Sequence, residues 1–170
     1  FKRILISFGG SDPSNETTKA LSAIIDLGKK YKIDVIVGTN NPNKKQIMKL
    51  CSKFPFCDFY EQVENISKYM KKADLALGAG GSTTWERCCL GLPTIVVNLS
   101  KDQEKITENL SKIGCVINLG SAEKTTKLDY VKALNEINSK KLREISKKCL
   151  VLVDGKGVKR IANKIFQTEN

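Results

Sequence analysis

Short runs of β-branched and aliphatic residues recur along this chain, and each is closed by a glycine-containing or polar turn that leads into a stretch with helical spacing. Residues 4–8, 33–37, 57–60, 74–78, 93–97 and 115–119 read as strands. The stretches 16–30, 43–52, 65–72, 83–90 and 102–113 read as the helices between them. Gly114 stands where a left-handed residue would close the last of these helices. Pro93 opens its strand, a place where a missing N–H is tolerated. Helices between consecutive strands indicate a mostly parallel sheet, because a parallel pair needs a crossover that a hairpin turn cannot supply. The pattern predicts an α/β fold: a doubly wound, mostly parallel, six-stranded Rossmann-like sheet. From Leu128 onward only helical spacing remains, broken at residues 154–157, so helices finish the chain.

At 170 residues the chain is expected to form a single domain, residues 1–170. It opens at Phe1 on an apolar run, as expected of a piece cut from a longer two-domain protein. Histidine is absent, which removes Ser-His-Asp and Cys-His nucleophiles and histidine-held metals from what this chain can build. Six cysteines show no C-x-x-C spacing, so zinc is not expected and buried thiols in a reducing cytoplasm are. No apolar run has the length of a membrane span. Lys plus Arg at 29 against Asp plus Glu at 18 leaves a formal charge of +11. Arginines are few (Arg3, Arg87, Arg143, Arg160) and aromatics are 6%, so solvated lysine faces explain the charge better than nucleic-acid binding does.

Ligands of doubly wound sheets bind beyond the carboxyl ends of the strands, near the point where strand order reverses. Three turns belong to that edge: residues 9–12 after the first strand, 78–84 after the fourth, and 98–103 after the fifth. In the second of them, Gly80 and Gly81 would let backbone approach a ligand, and Ser82 and Thr83 would cap the next helix or donate to phosphate. Neither a P-loop nor a clean G-x-G-x-x-G follows the first strand. Glu86, one turn into the helix, can accept from both hydroxyls of a ribose, or merely complement the helix dipole. Trp85 reads as core packing, and Arg87 as the partner of a neighbouring acid or of a ligand.

The run GAGGSTTWERCCLGLPTIVV (78–97), with ISFGGSDPSN (6–15) and VDGKGVKRIA (153–162), resembles the C-terminal domain of the UDP-sugar hydrolases of pseudaminic acid biosynthesis. Relatives of those enzymes serve spore-coat polysaccharide biosynthesis, and the larger group shares the GT-B fold with the lipid-II-forming N-acetylglucosaminyltransferase. The resemblance covers nearly the whole chain. It implies that Gly9, Gly10 and Ser11 flank a diphosphate, that Val63 offers backbone groups to uracil, that Gly81, Ser82 and Thr83 hold phosphate, and that Glu86 holds the ribose. Asp102 and Gln103 would face the sugar. The family's catalytic base is a histidine of the N-terminal domain, so this chain would bind the UDP-sugar without turning it over. No cofactor and no catalytic residue is expected here, and the partner is the chain's own N-terminal domain. A GT-B glycosyltransferase is the alternative enzyme, and a basic, non-enzymatic binding module the alternative outside enzymes.

Overall fold

A computed structural model describes residues 1–167. Six parallel strands alternate with helices from the first residues to Ser121: β1 (Arg3–Ser7), α1 (Glu16–Asp26), β2 (Lys32–Val37), α2 (Lys44–Cys51), β3 (Cys57–Glu61), α3 (Ser67–Met70), β4 (Leu75–Ala79), α4 (Thr83–Cys89), β5 (Thr94–Asn98), α5 (Lys101–Lys112) and β6 (Ile117–Ser121). Three further helices follow: α6 (Lys127–Glu136), α7 (Ser139–Leu152) and α8 (Gly157–Gln167). The strand order is β3-β2-β1-β4-β5-β6, with every pairing parallel. The chain winds outward from β1 to β3 and then crosses back to β4, so strand order reverses between β1 and β4.

Alternate residues of the central strands enter different cores, the outcome required when both faces of a sheet are covered. Ile4 and Ile6, Leu75 and Leu77, and Ile95 and Val97 pack into one cluster with Leu21, Ile24 and Tyr130 of α1 and α6. Leu5 and Ala76 turn the other way, to Met70 of α3 and Leu92. Val96 joins Cys88, Leu110, Ile145 and Cys149. Full burial of one such aliphatic side chain stabilises the fold by about 1.5–3 kcal/mol. Asp34, wholly buried in β2, is matched by Arg3 of β1, whose Nε and Nη2 donate to its two carboxylate oxygens at 2.6 and 2.9 Å.

The first helix is tied down by polar groups that the apolar pattern does not reveal. Asp12, buried and with φ +43°, accepts from the N–H groups of Glu16 and Thr17 at 2.8 and 2.9 Å. Glu16 accepts from the Tyr130 hydroxyl at 2.7 Å and from Lys19 Nζ at 2.6 Å, and Lys19 also donates to the carbonyls of Ala122 and Thr125. That cluster fastens α1 to α6 and to the β6 exit.

Several boundaries shift by a residue or more from the sequence reading, and two of the shifts have a visible backbone cause. The helix read as 16–30 stops at Asp26, because Gly28 takes φ +62° and its N–H turns back to Ile25. The final strand starts at Ile117 rather than Cys115, since the Cys115 N–H is still bound to Leu110 around the left-handed Gly114. Trp85 is 41% exposed on α4 and is not core packing. Among the described residues no helix is long and apolar enough to cross a membrane, and no group of three or more Cys, Asp or Glu could hold a metal ion.

Candidate functional site

The carboxyl ends of β1, β2 and β3 and the start of α4 enclose a cleft of about 230 Å³. Ser7, Gly9 and Gly10 line it from β1, Gly38 from β2, Gln62, Val63 and Ile66 from the turn after β3, and Thr83 and Glu86 from α4. The cleft is smaller than the roughly 300–1,000 Å³ of a pocket that engulfs a ligand. It can hold part of a larger ligand, with the remainder exposed or covered from outside.

Backbone conformation shapes this rim. Gly9 takes φ +86° and nothing lies within 4 Å of where a side chain would start at Gly9 or Gly10, so both glycines leave open backbone facing the cleft. Gly38 packs directly on that loop: a methyl group there would stand 2.3 Å from the Gly10 carbonyl oxygen. Gln62 holds φ +53°, rare for a residue with a side chain, while its N–H donates to the Val37 carbonyl at 2.9 Å. The turn at Val63 is thereby locked onto the end of β2.

The turn between β4 and α4 is organised from below. A methyl at Gly80 would stand 2.6 Å from Asn98 Oδ1 and 2.4 Å from Thr107 Cγ2, so this glycine serves contact with β5 and α5 and not approach to a ligand. Gly81 is open, its nearest neighbour being Gln103 Nε2. Ser82 is exposed and begins α4 in a helical conformation without a side-chain cap, leaving its hydroxyl uncommitted to the helix. Thr83 is half-buried and Glu86 exposed, both on the cleft side.

Beneath this turn lies Arg87, 2% exposed. Its Nη2 donates to the Ala79 carbonyl at 2.6 Å and to Thr84 Oγ1 at 2.9 Å, and the Thr84 hydroxyl itself donates to Ala79 at 3.3 Å. Its Nη1 occupies the space a methyl at Gly78 would need, beside the Ser7 carbonyl. Its Nε has no partner. Burial pulls the guanidinium down to about 10, and it remains a cation at neutral pH. The ion pairs among the described residues do not include it.

Of the residues singled out from sequence, Gly9, Gly10, Val63, Thr83 and Glu86 come together in the cleft, with Gly81 and Ser82 on the turn that adjoins it. Ser11 is exposed at the tip of the β1 loop, outside the cleft lining. Asp102 is exposed in the first turn of α5, and Gln103 accepts from the Leu99 N–H at 2.9 Å; neither lines the cleft. Sequence reasoning missed Gly38, Gln62 and Ile66 as cleft walls. Gly38, in the turn after the second strand, carried a usable signal, since any glycine at that edge competes for backbone space near the ligand. Gln62 carried none.

The family profile described as the glycosyltransferase family 28 C-terminal domain matches residues 4–165. The chain is 28% identical over 165 residues to the spore coat polysaccharide biosynthesis protein SpsG of Bacillus subtilis, covering 94% of this chain and 48% of that protein. It thus spans about half the length of that curated relative. Among solved structures, MurG of Acinetobacter baumannii superposes with a TM-score of 0.77 at 16% identity, over 97% of this chain and 49% of that one. The UDP-GlcNAc 2-epimerase of Neisseria meningitidis bound to UDP-GlcNAc superposes with a TM-score of 0.72 at 19% identity, over 98% of this chain and 44% of that one. These two likenesses are of fold.

Proposed function

The chain belongs to the glycosyltransferase family 28 C-terminal domain family, and we propose that it is the nucleotide-sugar-binding half of a UDP-sugar-dependent glycosyltransferase serving polysaccharide biosynthesis. One observation carries the reading. Residues drawn from four separate segments (Gly9 and Gly10, Gly38, Val63, and Thr83 with Glu86) meet in a single cleft at the point where strand order reverses. The curated relative's place in spore coat polysaccharide biosynthesis and the fold neighbour holding UDP-GlcNAc support the choice of ligand.

In this reading the uracil sits by Val63, where main-chain N–H and C=O groups can pair with its edge. The ribose lies against Glu86, whose two carboxylate oxygens accept from its hydroxyls. The diphosphate passes between the open backbone of Gly9 and Gly10 and the Gly81–Ser82–Thr83 turn, with Ser11 at its outer side. Asp102 and Gln103 flank the sugar end. The reaction breaks the bond between the anomeric carbon and the diphosphate oxygen, so UDP departs with the electron pair. The chain's contribution is to hold that developing charge by hydrogen bonds set in place beforehand. In this reading the group that activates the attacking hydroxyl is supplied by the second half of the enzyme, as the resemblance implies.

The UDP-sugar hydrolase reading rests on the 78–97 run together with 6–15 and 153–162, and differs in the nucleophile: water, not an acceptor hydroxyl, attacks the anomeric carbon. Titration calorimetry with UDP, CMP and GDP tests what both readings share, and UDP is expected to bind best. Equal heats for the three, or none for UDP, would remove the nucleotide assignment. Given UDP binding, sugar release by the two-domain protein without an acceptor would select hydrolysis.

A further inference from the structure

A cation buried without an anion is costly, and a structural arginine ordinarily has a carboxylate within reach. Arg3 follows that rule with Asp34, and Lys19 follows it with Glu16. Arg87 does not. It is 2% exposed, its hydrogen bonds go to a carbonyl and a hydroxyl, and its Nε is left unpartnered. Glu86, its sequence neighbour, acts on it only at a distance: its carboxylate favours the charged guanidinium but forms no ion pair with it, being exposed on the cleft side.

The position of this charge is specific. Gly78 has no side chain, and Nη1 fills the space its methyl would take, next to the carbonyl of Ser7. Ser7 lines the cleft, and Ala79 and Thr84, the two acceptors of Nη2, flank the Gly80–Thr83 turn on either side. The guanidinium therefore sits against the carboxyl ends of the paired strands β1 and β4, where Ser7 and Gly78 are in register, at the base of both loops that face the cleft. Charges separated by low-dielectric protein are weakly screened, so a cation in this place favours an anion above it.

We infer that Arg87 is the fixed counter-charge of the ligand's diphosphate, acting from beneath the β4–α4 turn that it also shapes. The inference rests on the UDP-sugar reading of the cleft. Arg87 is a positioning residue: it orders Ala79 and Thr84 and supplies the missing half of an ion pair whose other half arrives with the ligand. The Nε–H is the donor this leaves in reserve, for a water or a ligand oxygen drawn in at the loop.

Discrimination among ligands of different charge tests this. Arg87→Met is expected to weaken UDP binding roughly tenfold or more, UMP less, and uridine by under about twofold, whereas Arg87→Lys keeps most of the preference for UDP over uridine. A merely structural arginine would weaken UDP and uridine alike, and that result overturns the inference. Should the Met variant not fold, the Arg87 Nε–H resonance of the ¹⁵N-labelled wild-type protein decides. It is expected to shift on addition of UDP and to stay in place with uridine; no shift with UDP overturns the proposal. Failure of wild-type protein to bind UDP at all would strike the cleft reading instead, so the two failures are distinguishable.

Discussion

Individual side chains divide here into those that line the cleft and those that hold the fold, and Glu86 and Glu16 show the contrast. Glu86 is exposed at the cleft. Glu86→Ala is therefore expected to leave unfolding within about 0.5 kcal/mol of wild type. It should weaken UDP far more than it weakens pyrophosphate, which has no ribose. Calorimetry with the two ligands checks this, and equal losses would reject the ribose role. Glu16 is the opposite case, a fully buried carboxylate between Tyr130 and Lys19. Burial raises its pKa above the ordinary carboxylate value, and the bonds from Lys19 and Tyr130 only partly offset that rise. A raised folded-state pKa means that the native protein binds this proton more tightly than the unfolded chain does. Stability from this group is then complete below the ordinary glutamate value and declines as pH climbs through the raised one. Urea midpoints measured from about pH 4 to about pH 8 should show that decline in wild type and a flatter profile in Glu16→Gln. Parallel profiles would refute it.

Among the elements, the turns are tuned by close backbone contacts more than by their hydroxyls. Ser82 and Thr83 were chosen from sequence as caps or phosphate donors, yet α4 starts without a side-chain cap and its turn is clamped by Arg87 and Thr84 from below. The β1 loop is set in a similar way by Gly38, whose bare Cα allows the Gly10 carbonyl to approach. Gly38→Ala puts a methyl 2.3 Å from that oxygen, which forces the loop to move. The expected cost is about 1–3 kcal/mol in a denaturant titration, accompanied by weaker UDP binding as Gly9 and Gly10 shift. Unchanged affinity would mean that the β1 loop does not bear on the ligand. Such contacts join residues distant in sequence, so a glycine in a turn announces only that something comes close. It does not announce what, and Gly80, turned toward Asn98 and Thr107, shows that the neighbour can be core instead of ligand.

At the scale of the molecule, a tightly interlocked sheet domain contrasts with a lightly held last helix. The cores run from β1 to α7, while on α8 Val158, Ile161 and Phe166 are 83%, 63% and 70% exposed. An exposed ion pair, Arg160 with Asp154 at 2.7 Å, ties the helix to its own preceding turn. Ending the chain after Lys156 is expected to lower the Tm by about 3 °C or less, read by circular dichroism, because little apolar surface moves into water. A larger drop would show that α8 belongs to the cooperative unit.

The amino-acid order by itself determined the layered architecture. Alternating apolar runs and helical stretches admit few solutions other than a parallel sheet covered on both faces, and the six strands lie within two residues of where that pattern puts them. It also pointed to the edge of the sheet where this cleft lies and to five residues that line it, because the ends of parallel strands must share one side. Tertiary structure alone decided the rest. Gln62 entered the cleft wall through a strained backbone angle that no side-chain pattern encodes. Gln103 lies beside the Gly81 turn with its amide oxygen committed to the Leu99 N–H, and Asp102 is exposed on α5, so neither lines the cleft itself. Arg87 was left buried without an ion pair because burial and partnership depend on which distant carbonyls and carboxylates the fold brings within a few ångströms, and local sequence carries no record of those distances.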